Sequence, residues 1–466
     1  IEAQRVQGMA TLLVVPTIAE TEYWKHALAD LAPLLLTGSL SGKRREEALL
    51  ASVTHTGVII STPSFSWTPV HALGAIVIER AGAGSYRAPK RPYLDMRVAL
   101  KELAIARHIP LVYGDYPLPL EYRGTNILPE AAGRVVIIDT RREKADAKQE
   151  DQAPPWRAVP EEMRTHIAAT IAAGGRVLAL AVRKGYAPSV ICRDCGTART
   201  DEFGNVLTFT RESARGHVFR TVDGRIVEGA NVLCALCGSW NLMPLGVGVE
   251  RVEEELKQAF PDARIIRFEG DTVRTSAMAR KALADTNEPG CIIVGTEAAL
   301  PWLLALGISC NLAVLPSADS LLSLPFWRAR ERFVRLGLMM RGMSETLVLG
   351  TRLPDDAAVA AIAHPESTTF FDEERSLRTA LGYPPFGTLL SIQAEATRTQ
   401  LDILDSSIRA TIGTHTYTVL PDRPLTRTQL RRSYVLKLSV WPDAELAARI
   451  RMLPPSVRVL VDPEAF

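Results

Sequence analysis

The feature that most limits how this chain can fold is an alternation. Short apolar runs, TLLVVP, GVIIST, GAIVIE and IPLVYG, recur through the first quarter of the chain, with amphipathic stretches near 20–31 and 95–107 between them. Runs of this length, apolar on both faces and separated by helix-length segments, are what parallel strands look like, because crossover helices cover both sides of the sheet. The pattern resumes with a helix near 161–173, the strand RVLALAV, a helix ERVEEELKQAF and strands ARIIRF, CIIVGT, NLAVLP and TLVLGT. From about Pro354 it changes: LLSIQAEA, YTVLP, SYVLKLSV and VRVLVD surround a helix near 443–451, as in a small α+β domain.

A chain of 466 residues suggests two to four domains, each able to bury a full core. Its 54 basic and 52 acidic residues leave a formal net charge of +2, so any binding of nucleic acid has to come from local patches. Six cysteines, four of them in two CxxC pairs, fit a reducing compartment better than a disulfide framework. The chain opens on Ile1 with no secretory leader pattern, and reads as cytoplasmic and N-terminally truncated. The uncharged run at 298–316 is long enough to suggest a membrane span. Pro301, Gly307 and Asn311 interrupt it, and it parses as a short buried helix, a turn at Gly307 and a buried strand. A charged, proline-containing stretch at 141–155 reads as an exposed linker.

The cysteine pairs are CRDCG, carrying Cys192 and Cys195, and CALCG, carrying Cys234 and Cys237. Each pair is followed by a glycine, Gly196 or Gly238, which suits a knuckle whose turn closes in a conformation that a Cβ disfavours. Four thiolates converging this way complete a tetrahedral zinc site and leave no position for a catalytic water, so the expected metal is one structural zinc. A redox CxxC normally opens a helix, and neither pair is followed by a helical pattern. HVFRTV and RIVEGA flank Asp223-Gly224, a two-residue hairpin signal, so the insert reads as a zinc ribbon with a long β-hairpin. His217 is expected on a strand surface, and Cys291 and Cys310 as buried apolar residues.

The run CALCGSWNLMPLGVGVERVEEELKQAFPDARIIRFEGDT, with RKGYAPSVICRDCG and ALGYPPFG, resembles the PriA family of primosomal replication-restart proteins, superfamily 2 DNA helicases. The resemblance extends from VVPTIAE to the closing VDPEAF. It implies two RecA-like lobes that hydrolyse ATP between them. Against the family, the N-terminal DNA-binding region and the phosphate loop are absent; that loop would lie just before Ile1. The family has four CxxC pairs, the outer two on one zinc and the inner two on another. Only the outer two are present here, which implies one retained zinc.

Hydrolysis needs a phosphate loop, an acidic box for magnesium and water, and arginines on the transferring phosphoryl group. The family's DEEH falls on Glu79, Arg80, Ala81 and Gly82, so Glu79 still offers a carboxylate to magnesium while the water-activating carboxylate is Arg80. GSATPS becomes GDYPLP at 114–119, and GTQMxAKG becomes GTEAALPW, where only Gly295 and Thr296 carry over. QVAGRAGR lies over MMRGMSET at 339–346, with Met343 and Thr346 in the arginine positions and Arg341 out of register. Losing an arginine finger alone costs roughly three to five orders of magnitude in rate. The fold is therefore expected to persist without efficient use of ATP and magnesium.

The expected fold class is α/β: two RecA-like parallel-sheet lobes, 1–130 and 131–190 plus 241–352, a zinc-binding insertion at 191–240 and a C-terminal α+β domain at 353–466. The resemblance implies a replication-restart protein that binds branched or forked DNA, with primosome and single-strand-binding proteins as partners and no membrane. The alternative is an active ATP-dependent 3′–5′ helicase whose phosphate loop lies upstream; a zinc module acting away from DNA is a third. Candidate phosphate contacts are Arg211, Arg220 and Arg225, with Phe209 and Phe219 interleaved, and Arg431 and Arg432 near the C terminus. Each set reads equally as a solvated strand face.

Overall fold

A computed structural model describes residues 1–122, 133–141, 157–182, 189–192, 194, 199, 207–212, 216–221, 226–227, 232–234, 236–245, 247–270, 272–322, 326–364, 367–425 and 428–464. All but the first residue of the linker-like stretch at 141–155 lies outside them. Contacts group the chain into two compact units. One comprises Ile1–Leu180, Leu256–Asp319 and Arg330–Thr368, and the other Ala181–Glu255, Ser320–Ala329 and Thr369–Phe466.

The strands are, in chain order, β1 (Ala10–Val14), β2 (Leu34–Leu36), β3 (Val58–Ser61), β4 (Leu73–Ile78), β5 (Leu111–Tyr113), β6 (Arg134–Asp139) and β7 (Val177–Leu180). Then come β8 (Ser189–Cys192), β9 (Thr208–Glu212), β10 (Gly216–Arg220), β11 (Ile226–Val227) and β12 (Leu242–Leu245). The series closes with β13 (Arg264–Phe268), β14 (Cys291–Gly295), β15 (Cys310–Leu315), β16 (Ser344–Thr351), β17 (Thr388–Ala396), β18 (Tyr417–Pro424), β19 (Leu430–Leu438) and β20 (Val457–Val461).

Two parallel sheets build the first unit. One has the order β2-β3-β1-β4-β5 and the other β13-β14-β7-β15-β16-β6. These are the two parallel-sheet α/β lobes that the alternation predicts. Every residue of β1, β3, β7 and β14 is buried, which is why these segments are uninterrupted apolar runs. Cys291 and Cys310 are buried within β14 and β15, as expected. The 298–316 run divides as its composition indicates, into helix Leu300–Ala305, Gly307 at φ +66° and strand β15. Among the described residues no helix is long and apolar enough to cross a membrane.

The helix expected at 20–31 is shorter and starts earlier, at Ile18–Ala27, followed by a 3-10 turn Ala29–Leu31. Pro33 follows Ala32 and disfavours a helical residue before it, so the chain leaves the helix there, with Ala32 at φ +45°. Thr17 caps the helix, accepting from the Glu20 N–H at 3.4 Å. Asp95 caps helix Met96–Arg107, accepting from the Arg97 N–H at 3.0 Å.

In the second unit, β8 and β12 form an antiparallel pair, and β9, β10 and β11 a three-stranded antiparallel sheet. This corrects the single hairpin expected from sequence, since β9 adds a strand on the other side of β10. Asp223 and Gly224 lie outside the described residues, and the flanking strand register differs from the one a two-residue turn there would give. That turn would set Arg220 opposite Val227, whereas Arg220 pairs with Ile226 and Phe219 with Val227, so an odd number of residues separates the paired positions. The C-terminal α+β region carries an antiparallel sheet β18-β19-β17-β20. Helices Arg398–Ile412 and Ala444–Arg451 close its core through Leu401, Ile408, Ile412 and Leu446 against Leu390, Ile392, Tyr434 and Leu436.

Candidate functional site

In the first lobe the connection from β1 runs to β2 on one side of the sheet, and that from β4 runs to β5 on the other. Such a reversal leaves a crevice outside the carboxyl ends of the two strands, the usual place for a ligand in a sheet of this kind. Glu79 and Arg80 lie there, directly after β4, and Asp115 follows β5. The turn is tightly built. Glu79 N–H donates to Val14 O at 2.9 Å, Ala81 N–H to Gly114 O at 2.9 Å, and the buried Tyr86 hydroxyl reaches Val14 O and Glu79 O at 2.9 and 2.5 Å. Gly114 lies close to the Glu79 side chain, since a Cβ there would stand 2.6 Å from Glu79 Oε2.

Arg80 does not face outward. At φ +50° its backbone takes a conformation that non-glycine residues adopt at some cost, and its guanidinium turns onto Glu20 of helix Ile18–Ala27, with Nε 2.6 Å from Oε1. Asp115 accepts from Gly82 N–H at 2.6 Å and Tyr116 N–H at 2.8 Å, and Arg335 of helix Ala329–Gly342 brings its Nε to 3.3 Å. Three carboxylates, Glu20, Glu79 and Asp115, thus share the site with two guanidinium groups.

Burial raises all three carboxyls above the ordinary range. For Glu20 and Asp115, desolvation outweighs the neighbouring Arg80 and Arg335. Glu79 is pushed up to about 7, by burial first and then by the charges of Asp115 and Glu20, with Arg80 opposing. Its carboxylate accepts no hydrogen bond among the described residues. Chemically, the site is a buried cluster of three carboxyls with raised pKa values, faced by two arginines. Arg80, which the family resemblance aligns with the second carboxylate of an acidic box, is a cation paired with Glu20.

The second candidate centre joins the two ends of the insert. The sulfurs of Cys192, Cys234 and Cys237 lie within 4.8 Å of one another, and Cys192 Sγ is 3.6 Å from Cys237 Sγ. Zinc–sulfur bonds of about 2.3 Å in a tetrahedron separate sulfurs by roughly 3.8 Å, so this donor set fits a zinc ion. Cys195 and Gly196 lie outside the described residues. The 234–239 turn is a closed knuckle, with Gly238 N–H donating to Cys234 O at 2.9 Å, Cys234 N–H to Ser239 O at 2.7 Å and Gly238 at φ +68°, the conformation its sequence position suggests. A clamp that sequence reasoning missed ties the two knuckles. Asp194, inside the first, accepts from the Ser239 hydroxyl and from Asn241 Nδ2 at 2.8 Å, both beside the second.

No protein-family model matches the chain. The replication restart protein PriA of Bacillus subtilis (strain 168) is 23% identical to it over 97% of this chain and 59% of the relative. PriA of Synechocystis is 26% identical over 84% of this chain and 50% of the relative, and PriA of Treponema pallidum (strain Nichols) 27% over 84% and 60%. These likenesses support a divergent member of the PriA family. It spans only about half to three fifths of the length of these curated PriA relatives. Among solved structures, RecG bound to a three-way DNA junction is 11% identical, with a TM-score of 0.37 over 80% of this chain and 40% of that one.

The other sequence-predicted positions are placed as follows. MMRGMSET spans the end of helix Ala329–Gly342 and the start of β16, and its Arg341 donates to the carbonyls of Gly133 and Ile362 at 2.5 and 2.8 Å. The arginine of that helix that reaches the acidic cluster is Arg335, which sequence reasoning passed over. Gly295 sits where a Cβ would meet Phe268 O at 2.7 Å, so packing of β14 on β13 accounts for it. Arg431 pairs with Glu395 at 2.6 Å, and Arg432 with Asp422 at 2.8 Å and Asp402 at 3.2 Å. Both guanidinium groups are therefore engaged by carboxylates of the same domain. Phe209 and Phe219 pair across β9 and β10 with ring centroids 5.0 Å apart, and strand alternation puts the Arg220 side chain on the opposite face, with buried Val218. The side chain of Arg211, and Arg225 altogether, lie outside what is described.

Proposed function

We propose that this PriA-family chain is a replication-restart scaffold that binds branched or forked DNA, carries one structural zinc on Cys192, Cys195, Cys234 and Cys237, and hydrolyses little or no ATP. One observation carries the reading on catalysis: the guanidinium of Arg80 is paired with Glu20 at 2.6 Å where hydrolysis calls for a second carboxylate. Bound zinc would supply fold stability and no chemistry, since four protein sulfurs fill its coordination sphere. Primosome and single-strand-binding proteins are partners proposed through the family resemblance, and Arg211, Arg220, Arg225, Arg431 and Arg432 stay candidate phosphate contacts.

The second reading, an ATP-dependent 3′–5′ helicase, draws on Glu79, whose carboxylate is still at the strand end and accepts no hydrogen bond among the described residues. DNA-stimulated ATP hydrolysis separates the two. Turnover on forked DNA comparable to that of an active helicase would overturn the scaffold reading, and equal affinity for a fork and a plain duplex would count against both.

A further inference from the structure

The two lobes of the first unit meet through buried groups that are spent on each other. Arg335 in the second lobe is only 8% exposed, and its charged end enters the turn after β4 of the first lobe, donating from Nη1 to Gly82 O at 3.0 Å beside the Asp115 carboxylate. Gly82 makes this possible: a Cβ there would lie 2.1 Å from Arg335 Nη2. One helical turn earlier, Glu331 is 1% exposed and accepts from the Leu120 N–H of the first lobe at 2.7 Å. At a second seam, helix Ile18–Ala27 of the first lobe packs on helix Leu300–Ala305 of the second. There Trp302 is buried and donates from Nε1 to Gly270 O at 3.1 Å, fixing that helix to its own lobe.

We propose that Arg335, with Asp115 and the Gly82 carbonyl as its partners, is a latch that holds the two lobes closed without any nucleotide. In a nucleotide-driven machine, an arginine crossing between lobes finds its counter-charge on a phosphate and lets go when the phosphate leaves. Here the counter-charge is a side chain of the first lobe, present at all times. Opening the lobes would break the Arg335–Asp115 ion pair and the hydrogen bonds from Arg335 to Gly82 O and from Leu120 N–H to Glu331. Closure is therefore a property of the fold. This inference is independent of whether the chain binds DNA.

The test uses the full zinc-loaded chain, with probes attached through unnatural amino acids at the exposed positions Leu50 in the first lobe and Met278 in the second. Pulsed electron–electron distance measurements on the wild type should give one narrow distribution, unchanged by magnesium and a non-hydrolysable ATP analogue. Arg335→Met and Gly82→Ala, one removing the latch charge and the other its entry path, should each add a second, longer population. A broad wild-type distribution, a shift on adding the analogue, or an Arg335→Met distribution identical to wild type would overturn the latch. If Arg335→Met fails to fold, the wild-type arms and Gly82→Ala still decide the question.

Discussion

Arg80 and Glu20, sixty positions apart in sequence, meet at 2.6 Å across the crevice between β4 and helix Ile18–Ala27, with both side chains mostly buried. The pair explains how a positive charge is tolerated at the end of a buried strand, and it predicts an asymmetry. Arg80→Ala leaves Glu20 buried and unpaired and should lower stability by about 3 kcal/mol near pH 8, whereas Arg80→Met with Glu20→Gln should cost clearly less. Because burial already raises the Glu20 carboxyl, it can protonate when the arginine is gone, and the cost of Arg80→Ala should shrink toward pH 5. Urea midpoints at the two pH values check this.

Glu79 makes a separate pH signature. Its folded pKa of about 7 stands above the ordinary carboxyl value of 4.5, so the folded state holds the proton more tightly than the unfolded one. This group's contribution is fully present below pH 4.5, declines as pH rises to about 7, and is constant above. Glu79→Gln should flatten that interval in a stability-against-pH curve and raise stability above pH 7, because the neutral amide removes the repulsion with Asp115 and Glu20. An unchanged slope would place the ionisation elsewhere.

The cysteine cluster predicts a stoichiometry. Metal analysis of the purified chain should give close to one zinc per molecule, and Cys234→Ser should bring it close to zero. Trp240, two residues beyond Gly238 and 82% exposed, reports on the knuckle, so its fluorescence should shift on chelation. The parallel-sheet lobes, which share none of these sulfurs, should keep their helical circular dichroism. A value near two would show that a second metal site exists.

Arg432 binds Asp422 through paired contacts of 2.8 Å and lies near Asp402 and Asp405. The Arg432 hydrogen bond holds the Asp422 carboxyl below its ordinary value, and that of Arg409 does the same for Asp405. Such stabilisation is present above the unfolded value of 3.8 and lost as pH falls through the folded one. Arg432→Ala should therefore cost about 1–2 kcal/mol at neutral pH and much less near pH 3. If Arg432 also contacts DNA phosphate, the variant should lower the salt slope of fork binding by about one unit; an unchanged slope would confine it to the fold.

What could be read in advance follows physical lines. Strands such as CIIVGT and RVLALAV announce themselves because both faces are buried. Strand β2 has only three residues, and helix Gly42–Thr54 buries just Ala48 and Ser52 beneath KRREE, so neither leaves an apolar period to find. Helix Arg398–Ile412 did carry a legible signal, the capping box of Thr397 and Gln400. The cysteine pairs were readable because their spacing is local. Arg335 was not, since what gives it meaning is Asp115, 220 positions earlier, and no local pattern marks a partner at that distance. Asp115 itself lay within GDYPLP, an element dismissed as degenerate, yet it accepts two backbone N–H bonds and forms an ion pair with an arginine.

The antiparallel stem of β8 and β12, in which Cys192 stands opposite Leu242, has a consequence for how such a protein can change over time. Everything between those two positions leaves and returns through a doorway two strands wide. The entropy of closing a loop grows only with the logarithm of its length, so once the doorway is fastened, additions or deletions behind it cost the rest of the molecule little. The stem is thus a grafting point, where a second metal module could be traded for a small sheet while the lobes kept their cores.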